Sequence, residues 1–207
     1  MAKVCWKAGT MLAPVPPALV SCGTMEKPNV MTAAWTGIIC SDPVLVYVSI
    51  RPSRYSNELI RQSGEFVINV PTTALAKAVD LCGVKSGRDT DKFKLAKITA
   101  AQSTKVSAPQ VAEAPVSLEC KVKEITSLGT HDMFLAEVVA VDVDEAYING
   151  RQALDLQKAG LLAYAHGFYY ALGRKIGKYG WSVEKKSTKR KQAARKTEVK
   201  SLKKQGK

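Results

Sequence analysis

The sequence predicts a mainly β protein, an antiparallel barrel with helices inserted between its strands. Three observations carry this expectation. Short β-branched or aromatic runs recur between proline and glycine punctuation. Apolar and polar residues alternate with a period of two from Val116 to Lys123. The helical stretches fall between strands without the regular alternation that builds a doubly wound parallel sheet.

Pro17 to Cys22, Val30 to Cys40 and Val44 to Ile50 each read as one strand, bounded by Gly23, Pro28, the pair Asp42-Pro43 and Pro52. The third run is apolar on both faces, which predicts cover on both sides. The period then changes. In SNELIRQSG, Ser56 is the expected N-cap, Leu59 and Ile60 share a face, and Gly64 stops the helix. EFVINV is the next strand, ended by Pro71, and Thr73 caps a second helix with Leu75, Val79 and Leu81 inward and Gly83 at its end. Residues 84 to 110 mix charge, glycine and small polar residues and read as a long surface excursion with little regular structure, of a length that usually carries function or mobility. Val116, Leu118, Cys120 and Val122 alternate with Ser117, Glu119, Lys121 and Lys123, a strand with one wet face. A turn from Ser127 to Gly129 joins it to a long strand beginning at His131, so the two form an antiparallel hairpin.

Of 207 residues 46% are apolar, ample for a packed core, so disorder over the whole chain is excluded. No stretch approaches the roughly 18 apolar residues of a membrane-spanning helix. Pro14, Pro16 and Pro17 interrupt the only candidate for a signal peptide, and the cytoplasm is the expected compartment. Five cysteines form no C-x-x-C pair and read as reduced, mostly buried thiols, and with two histidines no metal site is expected. The net charge of +13 is uneven: residues 184 to 207 hold eleven Lys or Arg against two acids, a net +9. The expected organisation is therefore one domain, 1–183, followed by a basic tail, 184–207, too poor in apolar residues to order itself. Such an arm suits phosphates or simply solvent. With no aromatic residue after Trp181 to stack on bases, nucleic acid is disfavoured as a partner.

The common catalytic signatures are missing: no dinucleotide-binding glycine pattern follows a strand, and there is neither a P-loop nor a nucleophile elbow. What does concentrate is a polar and basic group around the second and third strands, Asn29, Thr32, Trp35, Ser49, Arg51, Ser53, Arg54 and Ser56. Guanidinium forks, serine hydroxyls and the start of a helix all complement phosphate. Taken alone, Trp35 fits a core position equally well, Asn29 after Pro28 fits a plain turn, and His131 a strand-end histidine.

From Pro14 to Trp181 the chain resembles the flavin reductase-like proteins, and within them the flavoredoxin group. The residues that carry the resemblance are PVPPALVSCGTMEKPNVMTAAWTGIICSDPVLVYVSIRPSRYSNELI, then GEFVINVP, CGVKSGRDTDKF, LEC and LGTHDMFLAEV. It implies a six-stranded Greek-key split β-barrel that forms a homodimer and holds FMN noncovalently near the subunit interface. The family motif N-x-x-T-x-x-W places Asn29, Thr32 and Trp35 at the flavin. S-x-R-P-S-R-Y-S assigns phosphate and flavin-edge contacts to Ser49, Arg51, Arg54 and Ser56. Lys92 of D-K-F lies by the cofactor, His131 of the G-[DST]-H motif lies beside the flavin or a nicotinamide, and Tyr164 matches an aromatic position near the flavin. Thr130 stands where many flavin reductases have Asp.

Isoalloxazine performs electron chemistry itself, so the absence of an acid-base dyad is consistent with this resemblance. Two readings result. In one, NAD(P)H reduces bound FMN by hydride transfer, with His131 and Lys92 orienting and stabilising charge. In the other, a flavoredoxin-type carrier receives electrons from a protein donor, and the basic tail steers an acidic, ferredoxin-like partner.

Overall fold

The β-branched runs form the strands: β1 (Ala18–Gly23), β2 (Pro28–Ala33), β3 (Thr36–Ser41), β4 (Val44–Ile50) and β5 (Glu65–Val70). Two longer strands, β8 (Val116–Ser127) and β9 (Asp132–Val143), make the expected hairpin. The computed structural model describes residues 1–150 and 152–183. The chain divides into a unit Met1–Leu172, which holds all of these strands, and a unit Gly173–Lys207, in which a 3-10 turn spans Trp181–Val183. The basic segment 184–207 lies outside the described residues.

The seven strands pair antiparallel in the order β2-β1-β5-β8-β9-β4-β3. Its two edges, β2 and β3, are consecutive in the chain and joined by Ala34 and Trp35 alone. The edges must therefore lie side by side, and the sheet wraps into a barrel left unpaired along one seam. The run from Val30 to Cys40, expected as one strand, is two, because the chain crosses the seam at Trp35. That crossing gives seven strands in place of six. The Trp35 carbonyl still accepts the Ser49 N–H at 2.9 Å, which ties the crossing to the end of β4.

Inward residues of every long strand fill the barrel, among them Val20, Val46, Val48, Phe66, Ile68, Phe134 and Ala136. A second layer lies outside β1, β2 and β5. There Leu19 and Val30 pack under helix α2 (Ala76–Val84) and against Phe93 and Ile98 of the excursion and Val111 just beyond it, while Val67 packs on Val106 and Ala108. Within the single chain, cover on both faces is found on β1 and β5, while β4 keeps one face partly open. β4 buries Val46, Val48 and Ile50 and leaves Val44 exposed and Leu45 and Tyr47 half-exposed.

The excursion holds α3 (Lys92–Ala96) and a two-stranded ribbon of β6 (Ala100–Ala101) and β7 (Gln110–Val111). It lies on the outer face of β8, so the face expected to be wet is dry where Ser117 and Glu119 stand. Glu119 is completely buried. Its carboxylate accepts the backbone N–H groups of Thr104, Lys105 and Val106 at 2.7, 2.6 and 3.0 Å. Asn69 of β5, also buried, donates to Leu19 O and Ser21 Oγ and accepts from Val111 N and Ser117 Oγ. Buried polar groups survive only when paired, and these two pair the excursion to the barrel.

Helix α1 (Tyr55–Ser63) ends as expected at Gly64, whose φ of 69° is left-handed and whose N–H reaches Ile60 O at 2.8 Å. Its N-cap is Arg54, and Ser56 lies buried inside the first turn. Gly83 is not the end of α2 but lies within its last turn, and the cap is Lys85. Short α4 (Leu156–Ala159) leads to a hairpin of β10 (Leu162–Ala165) and β11 (Phe168–Ala171).

Candidate functional site

The seam is where backbone polar groups and side chains remain unspent by the sheet, and a cleft of about 450 Å³ opens there. One wall is the crossing from Thr32 to Trp35. A second is the end of β4 with the following turn, carrying Ser49, Arg51 and Arg54. His131 enters from the start of β9, Asp80 and Gly83 from α2, and Tyr164 and Tyr169 from the β10–β11 hairpin. A smaller cleft of about 190 Å³ adjoins it, sharing Met31, Arg51, Arg54 and Gly83 and adding Ser53, Ser56 and Lys92.

The structure thus brings together Thr32, Trp35, Ser49, Arg51, Arg54, His131 and Tyr164 in the larger cleft, and Arg51, Arg54, Ser56 and Lys92 in the smaller one. Asn29 reaches the smaller cleft at one remove: its Nδ2 donates to Ser56 Oγ at 2.8 Å and to Cys22 Sγ at 3.3 Å. The excursion passes so close over Asn29 that a Cβ on Gly87 would collide with the Asn29 Oδ1 and displace that amide. The Thr32 hydroxyl donates to Val79 O and pins α2 to β2.

Trp35 is no core residue. It is 41% exposed and leans on His131 with ring centroids 4.5 Å apart. Burial, and then the Arg51 guanidinium, push the His131 imidazole below its ordinary value, while Asp132 pulls the other way. Its Nδ1 lies 2.9 Å from Thr130 Oγ1. Lys92 is 4% exposed, and its Nζ donates to Cys82 O at 3.1 Å and Lys85 O at 3.3 Å, the carbonyls at the end of α2. Burial lowers its pKa, and Arg54 adds to that. The Cys82 thiol beside it is pushed up to about 11 by burial, so it is no nucleophile.

Sequence reasoning missed Asp80 and Tyr169, which face each other across the cleft mouth with Tyr169 Oη donating to Asp80 Oδ1 at 3.3 Å. Burial and Asp80 push the phenol up to about 12. Tyr169 is the cross-strand partner of Tyr164, and the alternation around His166-Gly167 was the available signal for that hairpin. Among the described residues no cluster of His, Cys, Asp and Glu could hold a metal, and no helix is long and apolar enough to cross a membrane.

An antiparallel barrel open at one seam, with a basic and aromatic cleft set in that seam, is a split barrel. Residues 10–173 match the model of the flavin reductase like domain, and the chain belongs to that family. It is similar to the flavoredoxin of Desulfovibrio vulgaris (Miyazaki F), with a TM-score of 0.82 and 32% identity over 88% of this chain and 100% of that one. It is also similar to an FMN-binding protein from Thermus thermophilus, solved with bound 1-cyclohex-2-enone, at a TM-score of 0.74 and 26% identity over 86% and 99% of the two chains. In sequence it is 39% identical over 127 residues to an uncharacterized protein of Archaeoglobus fulgidus, covering 61% of this chain and 72% of that one.

Proposed function

We propose that this split barrel is an FMN-dependent oxidoreductase that accepts a hydride from NAD(P)H. The observation that carries the reading is the pair of joined clefts. One is lined by two guanidiniums, a serine hydroxyl and a buried ammonium, and the other by Trp35, His131 and Tyr164. A ribityl phosphate with a flat heteroaromatic ring has the same polarity from end to end, and the larger cleft falls within the range of about 300 to 1,000 Å³ usual for such sites. FMN, when bound, supplies the electron chemistry, taking a hydride and passing electrons onward.

The chain's own residues do the rest. Arg51 and Arg54 offer charge-assisted donors to the phosphate. Asn29 donates to the Ser56 oxygen and orients that hydroxyl at the edge of the smaller cleft. Lys92 adds a positive charge and anchors the helix that roofs the cleft. Trp35 walls the ring. His131, held neutral at neutral pH, presents an imidazole that can share a hydrogen bond with a ring edge or a nicotinamide. Ser49 and Tyr164 complete the ring end, and Thr32 holds α2 over it. In this scheme His131 and Lys92 are the catalytic candidates, and neither forms a covalent intermediate.

The assembly belongs to the same proposal. Ile38 is 77% and Ile39 51% exposed on β3, beside the bare face of β4 and the half-exposed Trp35. An apolar strip next to the cleft mouth suits a second copy of the chain, so a homodimer would cover the strip and close the ring end.

Anaerobic stopped-flow mixing of the FMN-loaded protein with NADH or NADPH tests the reading: loss of flavin absorbance within the dead time or over seconds is expected with at least one of them. The similarity to a flavoredoxin favours one alternative, reduction by a protein donor with the basic residues 184–207 steering an acidic, ferredoxin-like partner. No bleaching at millimolar nicotinamide, with full bleaching by dithionite, would select it. A colourless protein that takes up no added FMN would remove both.

A further inference from the structure

One buried carboxylate outside the cleft gathers the segments that form it. Asp132, the first residue of β9, is 3% exposed and follows His131 directly. Strand alternation sends its side chain to the side opposite His131, toward α1. There it accepts from Asn57 Nδ2 at 2.8 Å, from an Arg61 guanidinium nitrogen at 2.9 Å and from Ser127 Oγ at 2.8 Å. Asn57 is itself buried. Its Nδ2 also donates to Ile50 O at 3.2 Å, and its Oδ1 accepts from Arg61 Nε at 3.0 Å. The end of β4, the first turn of α1, the end of β8 and the start of β9 thus meet at Asp132.

The register of this cluster against the cleft is what gives it meaning. Ile50 precedes Arg51, Asn57 follows Ser56, and Asp132 follows His131. Three cleft residues, at three separate places in the chain, each stand one position along it from a member of the cluster. We propose that Asp132 is a positioning residue for the cofactor cleft, its carboxylate holding Ser56 and Arg51 at the anion end in fixed relation to His131 at the ring end. The proposal rests on the FMN reading of the cleft but concerns a group that touches no part of it.

Charge reinforces the geometry. His131 faces Arg51 from the end of β4, the uncharged Trp35 ring from the seam and the Thr130 hydroxyl from its own turn, with Asp132 behind it. Arg61 faces Asp132 from α1, lying 5.8 Å over the Phe134 ring, and it is the largest of the influences that hold the Asp132 carboxyl below the usual range. Asp132 is therefore anionic at neutral pH and offsets Arg51 at the imidazole.

The test uses the full chain carrying His166→Asn, a change its φ of 45° tolerates, so that His131 is the one remaining histidine. In the FMN-free protein, the His131 ring protons titrated by NMR should shift to a lower midpoint in Asp132→Asn, because Arg51 is no longer offset. In Arg61→Gln the midpoint should move upward, because Asp132 then acts alone. FMN affinity should fall about tenfold in both, the worth of one charge-assisted hydrogen bond. Opposite movements of the midpoint with parallel losses of affinity are what a merely structural role would not give. Midpoints that move the same way in both variants, or FMN affinity unchanged in both, would overturn the proposal. Arg61 is 43% exposed, so Arg61→Gln still decides by the sign of its shift and its FMN affinity if Asp132→Asn fails to fold. Wild-type protein that binds no FMN would instead fail the reading of the cleft, and the titrations would still report whether Asp132 governs His131.

Discussion

The two flanks of the barrel are finished differently. On the flank of β1, β5 and the first half of β8, the chain supplies its own cover: Val67 is sealed by Val106 and Ala108, and Leu19 by α2 and Phe93. Each large aliphatic side chain so buried contributes about 1.5 to 3 kcal/mol. Backbone groups of the excursion that would otherwise be orphaned are satisfied by Glu119 and Asn69. On the flank of β3 and β4 the outer face stays open among the described residues, and Ile38, Ile39 and Val44 are exposed. The cleft lies between, at the seam. One flank is complete within one chain and fixes the anion end of the cleft through Lys92 and Gly87. The other is the flank on which a second chain would act.

The largest effect is expected from breaking the finished flank. Glu119→Gln keeps the volume but turns an acceptor of three backbone N–H groups into a half-donor, and about 3 kcal/mol of stability should go. Chemical denaturation measures it, and limited proteolysis should cut within residues 84 to 110. The pH dependence has a sign. Glu119, Asp132 and Glu65 are all held below their ordinary values, so the unfolded chain binds protons first as pH falls. Their contribution is whole above about pH 5 and is lost as pH drops through the folded values. Asp142 is raised, first by burial and then by Glu119, so its protonated form is favoured on folding and that contribution disappears as pH rises through its folded value. Glu119→Gln should flatten part of the acid limb, and an unaltered acid limb would show the clasp to be weak.

That clasp was out of reach of the sequence. Val116 to Lys123 alternates as a strand does, and β8 is there, but periodicity only says that two faces differ. Which polar face stays wet depends on what crosses it, and a mixed-charge excursion reads as solvated until Glu119 is seen collecting its amides. The same limit applies to Val44 to Ile50: an apolar strand reports that it wants cover, not whether its own chain or a second one provides it. Turn chemistry was more legible. Gly64 ends α1 as read, whereas Gly83 stays inside α2 because the cap fell to Lys85. The cleft residues were legible through a family resemblance covering several ordered motifs, and the structure then brought nine of them to the two clefts and Asn29 to Ser56. Tyr169 was within reach of the alternation around His166-Gly167, whereas Asp80 and Asp132 belong to no pattern of spacing, since partners on other elements give them their settings.

The open flank gives the next effect. Ile38→Glu places a charge where a second copy would bury an aliphatic side chain, and association should weaken roughly tenfold or more. Sedimentation should show the two-chain species of the wild type giving way to single chains, with the unfolding slope unchanged. A wild type that sediments as one chain at micromolar concentration would mean that the strip serves something else.

Within the cleft, the anion end should matter more than the ring end. Arg54→Ala removes a guanidinium that lines both clefts, and FMN affinity should drop about tenfold in a fluorescence titration, with the folded state intact because Arg54 makes no side-chain cap on α1.

Trp35→Leu should give the smallest change, and the reason lies in the contrast between flanks. Trp35 stands on the two-residue crossing of the seam, held by the Ser49 N–H to its carbonyl, while its indole keeps 41% of its surface and rests on His131. Substitution leaves the backbone tie in place and costs little packing, so stability should hardly move. What it removes is an aromatic face beside the ring end, worth about 0.5 to 1.5 kcal/mol, or roughly threefold to tenfold in FMN affinity. The flavin absorption envelope should shift as that face is replaced by an aliphatic one. A spectrum and an affinity identical to those of the wild type would detach Trp35 from the flavin and leave the exposed indole, like Ile38 and Ile39 next to it, as part of the surface a second chain covers.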